Sequence, residues 1–133
     1  MNRETLEKEK ERKISLAKYY DKSQAVNSFM VNDSPAWLDK ATRVGLINSL
    51  QIEKAVGRED TTIWLNGASY TLSIDDALKM LTVIELYAVD CFNTTENHIK
   101  AINELEDLNR VYNYNYTKGY PKRLRFDLTP TVK

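Results

Sequence analysis

The sequence predicts an α+β fold: two β-hairpins packed with a shorter helix and one long central helix, plus a polar N-terminal helix. Three observations predict it. Over residues 73–108 apolar side chains recur at steps of three and four, the spacing of a helix buried along one face. Two short runs rich in β-branched and aromatic residues each double back at Asn, Asp, Gly or Pro, the residues that make tight turns. And 133 residues, 42% hydrophobic and 29% charged, can bury a core without staples. The expected layout is a polar helix over 1–22, an α+β domain over 23–128 and a tail over 129–133.

The N-terminal helix is expected over about 2–20. Glu and Lys alternate at helical spacing, as in Glu4–Lys8 and Glu9–Lys13, while Leu6, Ile14, Leu16 and Ala17 give only a thin apolar edge. Such a helix suits continuation from a longer parent chain, or packing on a partner. Residues 26–38 read as the first hairpin, with a turn at Asn32-Asp33-Ser34-Pro35. Asp39 caps a helix over 40–56, ended by Gly57. Gly45 inside it marks a close approach or a weak helix.

Residues 61–72 form the second hairpin, turning at Asn66-Gly67, since both central positions of a type I′ turn need positive φ. The order hairpin-then-helix occurs twice, which suggests a repeated unit. Ser73 caps the long helix, with Asp75 and Asp76 at the positive end of its dipole. Val83, Leu86, Tyr87 and Val89 widen the stripe in its first half, which should therefore be covered on more than one side. The run Asn93-Thr94-Thr95-Glu96 is its weak point, and continuity is favoured because the stripe keeps its phase. The narrower second half is left for the tyrosine segment or another subunit. Beyond it, Tyr112, Tyr114 and Tyr116 alternate with Asn, as on one face of an extended segment. Residues 122–128 alternate basic and apolar side chains like a half-buried edge strand, and 129–133 should fray.

Lys+Arg and Asp+Glu are equal at 19, so no global field recruits nucleic acid or an anionic membrane. The balance hides a pattern: residues 117–133 carry five basic groups and one acidic, beside an acidic body. That tail either docks, on its own body or on a neighbour, or serves solubility. One cysteine excludes an internal disulfide framework. No membrane-spanning run and no signal peptide is read.

No catalytic, cofactor-binding or metal residues are expected, and no enzyme. Cys91 and His98 share a helix face but lie two turns apart, about 10.5 Å along the axis, too far for a nucleophile and its base. A core cysteine and a half-buried histidine explain them. Capping explains Asp75 and Asp76, and a solvated loop explains Arg58, Glu59 and Asp60. The candidate interface is Tyr112, Tyr114, Tyr116, Tyr120, Lys122, Arg123 and Arg125. Aromatic and basic groups in sequence suit a protein interface, or a platform for glycan or single-stranded nucleic acid. The favoured reading is plainer: the rings cover the open side of the long helix.

Several stretches resemble one family. These are Trp37-Leu38-Asp39-Lys40-Ala41-Thr42-Arg43, Thr61-Thr62-Ile63-Trp64, Leu72 with Ala77 and Met80-Leu81, Glu85-Leu86-Tyr87-Ala88 with Cys91-Phe92-Asn93-Thr94, His98 and Ile102, and Tyr114-Asn115-Tyr116-Thr117-Lys118-Gly119-Tyr120-Pro121. Together, over about residues 10–125, they resemble an uncharacterised domain of phage and prophage tail-fibre, baseplate and related proteins, notably of gut Bacteroidales. The resemblance implies a non-enzymatic structural or adaptor module of a phage particle, with other phage structural proteins as partners and with homo-oligomerisation. It carries no catalytic residues and no cofactor. The alternative is a module binding a host glycan or a nucleic acid through residues 112–120.

Overall fold

A computed structural model describes residues 2–131 and is α+β. Helix α1 (Arg3–Lys22) and a single turn α2 (Gln24–Asn27) precede the hairpin β1 (Ser28–Val31) and β2 (Ser34–Trp37). Helix α3 (Lys40–Ala55) follows, then the hairpin β3 (Asp60–Leu65) and β4 (Ala68–Ser73). Helix α4 (Ile74–Glu104), the short α5 (Leu108–Tyr112) and β5 (Arg125–Phe126) complete it.

The chain divides into two compact units, one of Ser28–Tyr87 with Arg123–Lys133 and one of Met1–Asn27 with Ala88–Lys122. In the first, both hairpins use a two-residue turn. Val31 pairs with Ser34 across Asn32-Asp33, and Leu65 with Ala68 across Asn66-Gly67. All four turn residues have positive φ, which suits Asn, Asp and Gly. The first turn is thus tighter than the four residues expected, because Ser34 and Pro35 enter β2. Pro35 is tolerated there since it sits across from Met30, where the hairpin ladder asks for no N–H. From each turn Asn the chain runs the same distance to a helix cap: Asp39 accepts from Thr42 N–H at 2.7 Å, and Ser73 Oγ from Asp76 N–H at 3.0 Å. The suggested hairpin–helix repeat is present. Phe29 and Val31 in one copy, and Ile63 and Leu65 in the other, bury against Ile74, Ala77, Met80, Leu81 and Ile84 of α4. Buried Arg43 ties α3 to α4, donating to Leu38 O at 2.7 Å and pairing with Glu85.

In the second unit, α1 packs on α5 and the end of α4, with Leu6, Ile102 and Val111 as its core. The N-terminal helix is therefore engaged within its own unit through its thin apolar edge.

Other expectations also change. The strand expected from Val26 starts at Ser28, because Ser23 O accepts the N–H groups of Val26 and Asn27 and winds one more turn. Helix α4 is continuous through 93–96; Thr94 and Thr95 return their hydroxyls to the carbonyls of Asp90 and Cys91. It stops at Glu104, short of 108, where Leu105 N–H tightens onto Ile102 O and Asp107 caps α5. Of the four residues expected to widen the α4 stripe, Tyr87 is buried, while Val83, Leu86 and Val89 are exposed, so the extra cover reaches Tyr87 alone. No atom comes within 4 Å of a Cβ built on Gly45, which removes the close-approach reading. The strand expected over 122–128 is real but short. It lies parallel to β1 at the edge of the order β2-β1-β5, and Arg125 pairs with Asp33 at 3.1 Å, so the basic tail docks on its own body. The expected frayed end is partly wrong: Thr129 and Thr131 bond the backbone of β4, while Val132 and Lys133 lie outside the described residues.

Candidate functional site

The tyrosine segment is not extended. Asp107 starts α5, Asn113 ends it, and Asn115 then accepts from Thr117 N–H at 2.9 Å, an Asx turn. The rings therefore leave the chain in different directions, and each finds its own partner in the second unit.

His98 on α4 is the hub. Its Nε2 meets Lys118 O at 2.6 Å and its Nδ1 meets Tyr114 Oη at 2.6 Å. A carbonyl only accepts, so Nε2 carries the proton and Nδ1 accepts from the Tyr114 hydroxyl. One turn earlier, Thr95 bonds Tyr120 Oη at 2.6 Å. Burial pushes the Tyr114 and Tyr120 phenols above their ordinary range, so both stay neutral. Tyr20 from α1 stacks edge-on against Tyr116 and Tyr120, at 5.9 and 5.4 Å between ring centres.

The cationic side chains come from α1. Buried Lys13 donates to Tyr114 O at 3.3 Å and lies 5.8 Å from the Tyr112 ring centre and 5.7 Å from that of Tyr116. Arg12 covers Tyr112 at 5.8 Å. Lys10, 5% exposed, donates to Asn103 O at 2.9 Å and so caps the negative end of α4. Asp21 ends the same helix face half-buried; burial pushes its carboxyl above the usual range, with Thr95 and Asn27 drawing it back.

The seven expected interface residues are divided between the two units. Tyr112, Tyr114, Tyr116, Tyr120 and Lys122 belong to one unit, Arg123 and Arg125 to the other. Tyr114, Tyr116 and Tyr120 are half-buried; Tyr112 is 62% exposed beside a groove of about 420 Å³ lined by Thr5, Lys8, Arg12 and Leu108. Lys122 is exposed. Cys91 is fully buried and His98 has both nitrogens bound, as the core reading of the pair requires. Among the described residues no His, Cys, Asp and Glu group could hold a metal, and no helix is long and apolar enough to cross a membrane.

Tyr114 and Tyr120 cover the second half of α4, as one expectation had it, but the α1 partners of the tyrosines were missed. Leu6, Lys10, Lys13 and Ala17 stand at helical spacing and are all buried, so the stripe was legible. Its two lysines disguised it as a solvated face. No family model matches the chain, and no curated protein or solved structure does either.

Proposed function

We propose that this chain is a non-enzymatic structural or adaptor module of a bacteriophage particle, associated with the tail, baseplate or fibre, that acts through protein–protein contacts. One support is the resemblance of its core and turn residues to a domain of such proteins. The observation that carries the reading is an apolar surface on α3. Val44 and Ile52 are exposed, with Val56 at the C-cap, away from buried Arg43 and Leu50. A helix apolar on both faces has a second face to cover, and a large protein partner covers it. Its site of action on this reading is the virion, or the host cytoplasm during assembly.

The glycan or nucleic-acid alternative has less support. Lys13 and Arg12 already cover tyrosine faces that a base or sugar would need, and the Tyr114 and Tyr120 hydroxyls serve His98 and Thr95.

Mass spectrometry of gradient-purified particles from the phage or prophage that encodes the chain tests the proposal. The chain should be present in stoichiometric amount, and Val44→Asp with Ile52→Asp should abolish incorporation while leaving the circular dichroism unchanged. Its absence from particles, together with a gene far from any tail, portal or capsid gene, would overturn the reading.

A further inference from the structure

β3 carries an open backbone edge. In a hairpin closed by a two-residue turn, the pair flanking the turn is hydrogen-bonded, and alternate pairs follow it. Leu65, Ile63 and Thr61, across from Ala68, Tyr70 and Leu72, therefore spend their N–H and C=O groups on β4. Asp60, Thr62 and Trp64 turn theirs outward. The same alternation is directly visible on β4, where the outward Ser69 and Thr71 bond Thr131 and Thr129. Among the described residues, no group bonds the outward backbone of Asp60, Thr62 and Trp64, and no strand lies beyond β3.

The other edges of this unit are closed or short. Residues 129–131 cover β4, and β1 lies between β2 and β5. β2 offers Pro35, which has no N–H and whose carbonyl accepts the Asn66 amide. β5 has two residues. Exposed edges are ordinarily blunted with Pro, Lys or a bulge. β3 has none of these, and its one charge, Asp60, stands at the end away from the turn; its ladder with β4 is unbroken, and Trp64 is 65% exposed beside exposed Thr62.

We propose that β3 is a dimerisation edge, pairing antiparallel with β3 of a second copy of this chain about a two-fold axis through Thr62. The strand is self-complementary in that register. Thr62 faces its own copy, and Asp60 and Trp64 face each other, so all three outward residues of each strand are paired. Moving the axis to Ile63 would set Asp60 against Asn66, whose φ of 52° takes it out of the strand. The one charge of the strand lies across from Trp64, not from its own copy, so like charges are not opposed. Residues directly across an antiparallel pair share a face, so Thr61, Ile63 and Leu65 of both copies stay on the core side. The contact is isologous and closes at two copies. This inference rests on the chain's being a contact-making module, but it names a different contact from the particle-facing stripe of α3.

Sedimentation velocity on the full chain, from low to high micromolar concentration, tests it. The wild type should move from one chain to two, and Thr62→Pro should weaken dimerisation by about tenfold or more. That substitution removes an outward N–H and leaves the β3–β4 ladder intact. Trp64→Lys, which places a blunting charge on the edge, should act likewise. Trp37→Lys on β2 should change nothing. Hydrogen exchange needs no variant: the Thr62 and Trp64 amides should be slowed at high concentration only. A wild type that stays monomeric, or a dimer untouched by both β3 variants with these amides unslowed, would overturn the proposal. Incorporation into particles is measured separately, so failure here leaves that reading standing.

Discussion

At the scale of single residues, His98 shows how one side chain can order a loop. Lys118 O fixes its tautomer, and Tyr114 Oη occupies the nitrogen that would otherwise be a base. His98→Phe should cost on the order of 1 kcal/mol, since half-buried Tyr114 Oη loses its bond while exposed Lys118 O can turn to water; urea denaturation would measure it. Gly45 shows the reverse. With open space around its Cβ position, Gly45→Ala should stabilise by about 1 kcal/mol in the same experiment. Asp21 adds a pH dependence. Its folded pKa is raised by burial, so its favourable contribution is complete below the unfolded carboxylate range and disappears as pH rises through the folded value. Asp21→Asn, which mimics the protonated form, should therefore have a higher Tm than wild type at pH 7, and the difference should close in acid. Thermal melts at neutral and acid pH would check both halves of the claim.

At the scale of elements, two buried cations hold helices together. Lys10 reaches from α1 to the last turn of α4, where unsatisfied carbonyls concentrate partial negative charge. Lys10→Met keeps the buried stem and loses the cap; it should cost about 1–3 kcal/mol and speed amide exchange at the α4 terminus. Arg43 does the equivalent between α3 and α4. Glu85→Ala leaves its guanidinium buried and unpaired, a loss of about 3–5 kcal/mol for a fully buried pair, and less here because Glu85 is partly exposed. A denaturant series on Glu85→Ala and Arg43→Met together would show whether the double variant recovers part of that loss. The tyrosine segment belongs at this scale too. Alternation of Tyr and Asn is a strand pattern only if the backbone extends, and the caps at Asp107 and Asn113 curl it instead.

At the scale of the whole molecule, the chain has two cores and one helix that serves both. Leu81 lies in the core of the Ser28–Tyr87 unit, Ile102 in that of the other. Leu81→Ala and Ile102→Ala should each cost about 2–5 kcal/mol. Amide exchange should show each loss concentrated in its own unit, and equal loosening of both units by either variant would contradict two separate cores. The two hairpin–helix segments, with matched turns and caps, fill one of these cores, and α1 with α5 and the end of α4 fills the other.

The α+β class, both hairpins, the caps at Asp39 and Ser73 and the continuity of α4 were legible in the sequence by itself. Each depends on residues a few positions apart: a turn pair, a capping oxygen, a periodic stripe. The burial of Lys10 and Lys13, the parallel pairing of β5, the docking of Thr129 and Thr131 and the α1 partners of the tyrosines were not legible. These were decided by tertiary structure alone, because a lysine at a buried position is worth burying only when a distant carbonyl or ring is there to meet it.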